Sequence, residues 1–252
     1  MNKIYPLIVA LLYYMLNRLG RRATSAISYN IRSRTGLFPA PLQQHTFSSV
    51  PSCKMPLIPS TTSLGGKPRV ILGLMTFGPP GSESKGARIT TLDDYNKNLD
   101  YFQKQGYNEL DTARTYIAGD QEAFTREAKW KDRGFTLATK CYPVQPGAHS
   151  PENLRASLEK SLKELGTDSV DIFYLHAPDR SVPFEDTLKA ADDLFKEGKF
   201  SQLGLSNFAS WEVAEIWNIA NERGLIKPTI YQAMYNAITR EIETELVPAL
   251  RK

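Results

Sequence analysis

The sequence predicts an α/β fold in which parallel strands alternate with helices, and two observations support that prediction. From Arg69 onward, short runs rich in β-branched residues alternate with amphipathic stretches of helical periodicity. Six such pairs follow one another, which indicates a parallel sheet with helical crossovers. The composition, 41% hydrophobic and 23% charged over 252 residues, is that of a globular protein and excludes a disordered or collagen-like chain.

The individual elements follow from local patterns. The clearest helix has Ser150 as its N-cap, Pro151 at its first position and Gly166 after its last residue, and four leucines between residues 154 and 165 form one apolar stripe. The predicted strands are Val70–Leu74, Tyr107–Leu110, Phe135–Thr139, Val170–Leu175, Ser201–Leu205 and Thr229–Gln232. The predicted helices cover about residues 91–105, 119–129, 151–165, 184–197, 210–223 and 240–252.

Two architectures fit this alternation, an open doubly wound sheet and a (β/α)8 barrel. The first would carry a G-x-G-x-x-G fingerprint after strand one, but strand one leads into GLMTFGPPG, whose glycines are spaced differently. Polar residues end or follow strands two to six: Asp111, Lys140, His176, Ser206 with Asn207, and Gln232. In a barrel these carboxyl ends share one mouth, where active sites lie. We therefore predict a (β/α)8 TIM barrel.

The side chains at this mouth favour acid catalysis on a carbonyl group. Asp111 and Tyr116 are five residues apart in LDTARTY, and Lys140 and His176 arrive from the next two strands. An ammonium close to a phenol lowers the phenol pKa from its ordinary value of about 10, and Asp111 would keep Lys140 charged. We expect Tyr116 to protonate a carbonyl oxygen that His176 orients.

The same reasoning requires a cofactor. None of these side chains can deliver two electrons, so a hydride donor is needed, and Ser206, Asn207 and Gln232 are suited to holding a carboxamide. We expect no metal, because the only other histidines are His45 and His149. The plainer alternative for each single residue is that a polar side chain after a strand caps a turn, or that a lysine extends to the surface.

Several segments between residues 69 and 252 carry a family resemblance: VILGLMTFGP, NELDTARTY, LATKCYP, DIFYLHAPDRSVPFEDTL, KFSQLGLSNFASWEVAEI and YQAMYNAITREIETELVPALRK. Together they resemble the aldo-keto reductases, and they are most similar to the aflatoxin B1-aldehyde reductase branch. The resemblance implies reduction of an aldehyde or ketone to an alcohol with NADPH, no metal, and a homodimer. The catalytic positions that it implies are Asp111, Tyr116, Lys140 and His176. The cofactor-binding positions that it implies are Met75, Asp111, Ser206, Asn207 and Gln232.

We expect the barrel to be incomplete. Residues 69–252 make 184 positions, whereas a (β/α)8 barrel takes about 250 residues and each βα pair needs on the order of 30. The last two βα units would then be absent. In the family they supply the aromatic that stacks on the nicotinamide, the pyrophosphate loop and the basic residues for the 2′-phosphate. The chain would be a fragment of an active reductase, an inactive short protein, or a cofactor-sensing regulatory subunit like the potassium-channel β subunits.

Residues 1–67 form a separate basic leader before the barrel of residues 68–252. The leader contains eight of the 31 Lys and Arg residues and none of the 27 acidic residues, so the barrel carries a net charge of −4 and has no electrostatic reason to bind nucleic acid. The apolar run at residues 4–16 is too short for a membrane span. We expect a disordered leader and a cytoplasmic protein translated from Met55. Mitochondrial import is the alternative, because the Arg- and Ser-rich stretch after the apolar run is typical of a transit peptide.

Overall fold

The computed structural model describes residues 68–252, which contain six strands and six helices. The predictions for the leader, residues 1–67, lie outside the described residues. The strands are β1 (Ile71–Gly73), β2 (Glu109–Asp111), β3 (Thr136–Cys141), β4 (Val170–Leu175), β5 (Phe200–Ser206) and β6 (Pro228–Gln232). The helices are α1 (Leu92–Lys104), α2 (Gln121–Glu127), α3 (Pro151–Leu165), α4 (Phe184–Lys196), α5 (Ser210–Arg223) and α6 (Leu246–Leu250). Short 3₁₀ turns lie at Glu83–Lys85, Tyr116–Gly119 and Glu241–Glu243.

The six strands form one sheet in chain order, and each strand is parallel to its neighbour. The sheet is strongly curved, because the amide of Gln232 in β6 lies 3.2 Å from the carboxylate of Asp111 in β2. In a flat sheet, strands four positions apart would be separated by about 19 Å. The predicted α/β class and the incomplete barrel of six βα units are therefore confirmed.

The core has two layers, one on each side of the curved sheet. The larger layer lies between the sheet and the helices and includes the predicted leucine stripe of α3. The smaller layer fills the inside of the barrel with Ala138, Ile172, Tyr174 and Ile230. Gly204 in β5 faces this layer, and a Cβ atom there would lie 2.3 Å from the ring of Tyr174. Glycine at this position therefore makes room for the tyrosine.

The predicted start and end of α3 are confirmed. Ser150 accepts a hydrogen bond from the backbone N–H of Asn153 at 3.4 Å, Pro151 is the first helical residue, and Gly166 ends the helix with φ +69°. Thr91 caps α1 in the same way through the N–H of Asp94. No helix within residues 68–252 is long and apolar enough to cross a membrane.

The bounds of several elements differ from the predictions. Strands β2 and β3 extend past their predicted ends, so Asp111 and Lys140 belong to the ladder and pair with Gly73 and Tyr174. The prediction of one helix over 240–252 is wrong, because α6 covers only Leu246–Leu250. Pro248 explains the difference: in a helix that began at residue 240, its ring would clash with the carbonyl of residue 244.

Candidate active site

Lys140 lies at the centre of a hydrogen-bonded group at the carboxyl ends of the strands. Its side chain is completely buried. The ammonium donates to Oδ2 of Asp111 at 2.6 Å, to the carbonyl of Thr112 at 2.6 Å and to the hydroxyl of Tyr116 at 3.2 Å. An ammonium has three N–H donors, and these contacts use all of them. Lys140 therefore does not extend to the surface, and the structure brings it together with Asp111 and Tyr116.

The sheet itself positions these residues. Asp111 pairs in register with Ala138, so Lys140 lies two residues further along the neighbouring strand and faces the same side. Tyr116 follows β2 in a loop whose N–H at Arg114 donates to the carbonyl of Lys140 at 3.1 Å. The sequence pattern of polar strand ends therefore identified residues that do converge.

His176 completes the group from the end of β4. Its backbone N–H donates to the carbonyl of Cys141 at 2.9 Å, and its ring lies edge-on to Tyr116 with the ring centroids 6.1 Å apart. Tyr142 packs edge-on against the other part of the imidazole at 5.4 Å. The ring nitrogen Nδ1 is buried and has no hydrogen-bond partner among the described residues. A polar atom of a bound molecule would satisfy such a group.

The electrostatics keep His176 neutral. Burial, with a further contribution from the positive charge of Lys140, lowers its pKa to about 4. Burial also lowers the pKa of Lys140, but the carboxylate of Asp111 opposes this change. The ion pair with Asp111 therefore offsets part of the cost of burying the ammonium of Lys140.

The expected low pKa of Tyr116 is not what the structure gives. Burial raises the pKa of the phenol above its ordinary value, and the negative charge of Asp111 raises it further. Burial is the larger cause, and Asp111, which lies 2.6 Å from Lys140, also offsets the field of the ammonium. Tyr116 is thus a protonated phenol at neutral pH. Because its oxygen accepts from Lys140, its own O–H can donate to another molecule.

Three of the predicted cofactor-binding residues join the same group. Gln232 is in register with Ser206, and its amide donates to Asp111. The amide of Asn207, at φ +61°, donates to the carbonyl of His176 at 2.8 Å and to the hydroxyl of Ser206 at 3.1 Å. A carboxamide needs both donors and acceptors, and two amides with one hydroxyl offer them. These residues fit the nicotinamide end of a dinucleotide.

Met75 lies outside this hydrogen-bonded group. It follows β1, and 59% of its surface is exposed. Its role as the floor of a pocket stays a prediction. The phosphate-binding residues were expected in βα units seven and eight, so the fit of this site concerns the nicotinamide end alone.

The sequence analysis missed an ion pair beside Tyr116. Arg114 contacts the carboxylate of Glu122 and the carbonyl of Gly119. The residues that follow Tyr116 lie in the left-handed region, with φ +50° at Ile117 and +54° at Ala118. Such residues cost about 1–3 kcal/mol each when they are not glycine. The nearness of Arg114 to Tyr116 in the sequence was the only signal, since Glu122 has the pattern of an ordinary helix residue.

The comparisons with known proteins show the family to which the chain belongs. The profile of the Aldo/keto reductase family matches residues 69–252, and the chain belongs to that family. The chain is 41% identical to the aldo-keto reductase pigE of Monascus ruber over 72% of this chain and 56% of that protein. It is 41% identical to aflatoxin B1 aldehyde reductase member 2 of Rattus norvegicus over 81% of this chain and 56% of that protein. With the Homo sapiens protein of that name, the identity is 48% over 60% of this chain and 43% of the relative. The chain spans about half the length of the curated relatives it matches.

Proposed function

We propose that the protein is an oxidoreductase that reduces aldehydes or ketones to alcohols with NADPH, and that Tyr116 supplies the proton. One observation carries the proposal: the ammonium of Lys140 is within hydrogen-bond distance of both Asp111 and Tyr116 at the mouth of a curved parallel sheet. Membership of the Aldo/keto reductase family supports the reaction class. The names of its relatives include aldehyde reductases, which supports a carbonyl substrate.

The residues divide the reaction between them. When bound, NADPH supplies the hydride. The Tyr116 O–H gives its proton to the carbonyl oxygen, so that the phenol O–H bond breaks and the alcohol O–H bond forms. The ammonium of Lys140 donates to the same phenol oxygen and stabilises the phenolate that remains, until a solvent proton restores it. Asp111 opposes the effect of burial on the pKa of Lys140 and so favours its protonated form.

His176 orients the substrate in this mechanism. With its pKa lowered to about 4, the imidazole is neutral at neutral pH and donates through one N–H. Its edge-on packing against Tyr116 places both groups on the same side of the mouth. A neutral donor can hold the carbonyl oxygen without taking the place of Tyr116 as the acid, because imidazole is a far weaker acid than imidazolium.

The decisive experiment compares two tyrosine variants of the full chain. With nitrobenzaldehyde as substrate, NADPH oxidation is followed by its absorbance, and NADPH binding is followed by fluorescence. We expect Tyr116→Phe to lower kcat by about 10²–10⁴-fold, the usual contribution of a general acid, with NADPH binding unchanged. Tyr101→Phe is the matched control, because Tyr101 lies on α1 with its side chain exposed to solvent and is not part of the group around Lys140.

Each outcome of this experiment is informative. A wild-type rate in Tyr116→Phe contradicts the role of Tyr116 as proton donor. NADPH binding without turnover in the wild-type protein contradicts the proposal that the protein is an enzyme and supports a cofactor-sensing subunit. Neither binding nor turnover indicates an inactive fragment. Three further predictions need their own tests. Titration with both cofactors tests the preference for NADPH over NADH, and sedimentation tests the homodimer. Imaging tests the cytoplasmic location against mitochondrial import.

A further inference from the structure

A buried ion pair connects the loop of Tyr116 to the strand of Lys140. The guanidinium of Arg114 contacts Oε2 of Glu122 through Nη1 and the carbonyl of Gly119 through Nη2. Glu122 is fully buried, and its other oxygen accepts from the hydroxyl of Thr139 at 2.6 Å. Thr139 directly precedes Lys140 in β3. Arg114 and Glu122, together called the loop clamp, therefore link a strand residue to the far end of the loop.

The backbone of the loop needs such a clamp. Ile117, Ala118 and Gly119 have φ values of +50°, +54° and +98°. The first two are not glycine, so this conformation persists only where the surroundings enforce it. The contact from Arg114 to Gly119 lies at the end of this run. A Cβ atom on Gly119 would lie 3.0 Å from Nη2 of Arg114, so the guanidinium is packed closely over the loop.

The clamp acts on the part of the loop that follows Tyr116. The N–H of Arg114 donates to the carbonyl of Lys140 at 3.1 Å and ties the start of the loop to β3, and the N–H of Tyr116 donates to the carbonyl of Ala113 at 3.1 Å and closes the turn. The contact from Arg114 to Gly119 holds the residues after the turn. The side chain of Tyr116 lies 3.2 Å from Lys140, near the long end of the hydrogen-bond range. A shift of the loop by about 1 Å would break this contact, and misplacement on that scale can cost about 10²-fold in rate.

We propose that Arg114 and Glu122 are positioning residues that hold the hydroxyl of Tyr116 against the ammonium of Lys140. They do not touch the reacting atoms and act through the loop. The kinetic part of this proposal rests on the proposed function, whereas its structural part does not. The clamp therefore has two separate readouts, the order of the loop and the rate of the chemical step.

The test uses hydrogen exchange and kinetics on the full chain. We expect Arg114→Met and Glu122→Gln to increase amide exchange in the peptide covering residues 112–121 by about tenfold, with exchange in α4 unchanged. We expect kcat to fall by about 10–100-fold with little change in the KM for NADPH, and Arg114→Lys to recover part of the loss. Thr139→Val keeps the charges of Arg114 and Glu122 and removes only the hydrogen bond from Thr139 to Glu122. We expect a smaller increase in exchange and a smaller fall in kcat, so this variant tests the proposal if the other variants do not fold.

Asp192→Asn is the matched control. Asp192 is a buried carboxylate in α4 that accepts from the N–H of Ile226 at 2.8 Å, before β6 and at the opposite end of the strands. The Asp192→Asn substitution should lower the free energy of unfolding without changing amide exchange in residues 112–121. Unchanged loop exchange in Arg114→Met, Glu122→Gln and Thr139→Val overturns the proposal. A wild-type protein without reductase activity contradicts the proposed function instead, because the exchange experiment still reports on the clamp.

Discussion

Strand β2 is three residues long and carries two carboxylates whose cationic partners differ in exposure. Glu109, at its amino end, lies 2.5 Å from Arg69, and both side chains reach solvent. Asp111, two residues later and on the same face, lies 2.6 Å from Lys140, which has no exposed surface. The two ion pairs are alike in length but differ in hydration. Because water reaches Arg69 but not Lys140, the second pair is screened less than the first.

Backbone strain is also concentrated at the carboxyl ends of the strands. At the amino ends, left-handed conformations at the turns after α3 and α5 fall on Gly166 and Gly224, where they cost little, and Lys129 after α2 is the non-glycine exception. At the carboxyl ends, Ile117, Ala118 and Asn207 adopt such conformations without being glycine. The carboxyl end of the barrel therefore carries the buried pair of Asp111 and Lys140 together with most of the strained non-glycine residues among those described. This distribution is expected where rigid positioning of functional groups outweighs local stability.

The largest effect is predicted for Lys140→Met. It leaves Asp111 without its partner in a buried site, so we expect the free energy of unfolding to fall by about 3 kcal/mol. Reductase activity should fall by at least about 10²-fold, because the phenolate of Tyr116 loses its stabilising cation. Urea denaturation and steady-state kinetics measure the two effects.

The double variant Asp111→Asn with Lys140→Met sharpens this result. It removes both charges, so it should recover most of the lost stability but none of the activity. Recovery of activity in the double variant would contradict the role of the charged pair. If Lys140→Met lost no more stability than the loss of an exposed ion pair causes, the ion pairs at the two ends of β2 would not differ in hydration.

The next effect is a dependence of stability on pH that arises from His176. Its pKa is lowered to about 4 in the folded protein, against about 6.5 in the unfolded chain. Between these values the unfolded state binds a proton that the folded state does not, so stability is lost as the pH falls from 6.5 to 4. We expect wild type to lose about 2–3 kcal/mol more than His176→Asn over this range, as measured by urea denaturation at each pH.

The comparison of variants isolates this residue. Burial also lowers the pKa of His149, but that residue is present in both proteins and its contribution cancels. Parallel stability curves for wild type and His176→Asn would show that the imidazole is not desolvated. They would also remove the argument that His176 is a neutral donor.

The sequence predicted which residues lie at the mouth of the barrel, but not how burial and neighbouring charges change their pKa values there. Parallel strands and a period of two residues are enough to bring Asp111, Lys140 and His176 to one end of a sheet. The sign of the pKa change at Tyr116 depends instead on the burial of the phenol and on how closely Asp111 approaches Lys140, and spacing fixes neither. Glu122 was missed for the same reason. Its burial depends on the packing of α2 against α3, and its helical position alone suggests a solvated side chain.

The smallest effect is predicted for Arg69→Met, the exposed counterpart of Lys140→Met on the same strand. Glu109 remains accessible to water after the substitution, so no charge is left without solvation. We expect the free energy of unfolding to change by less than about 1 kcal/mol, and the change to shrink further at high salt. Denaturation at low and high ionic strength measures this dependence. A loss as large as that of Lys140→Met would mean that the amino end of β2 is as desolvated as its carboxyl end, and that hydration does not distinguish the two carboxylates.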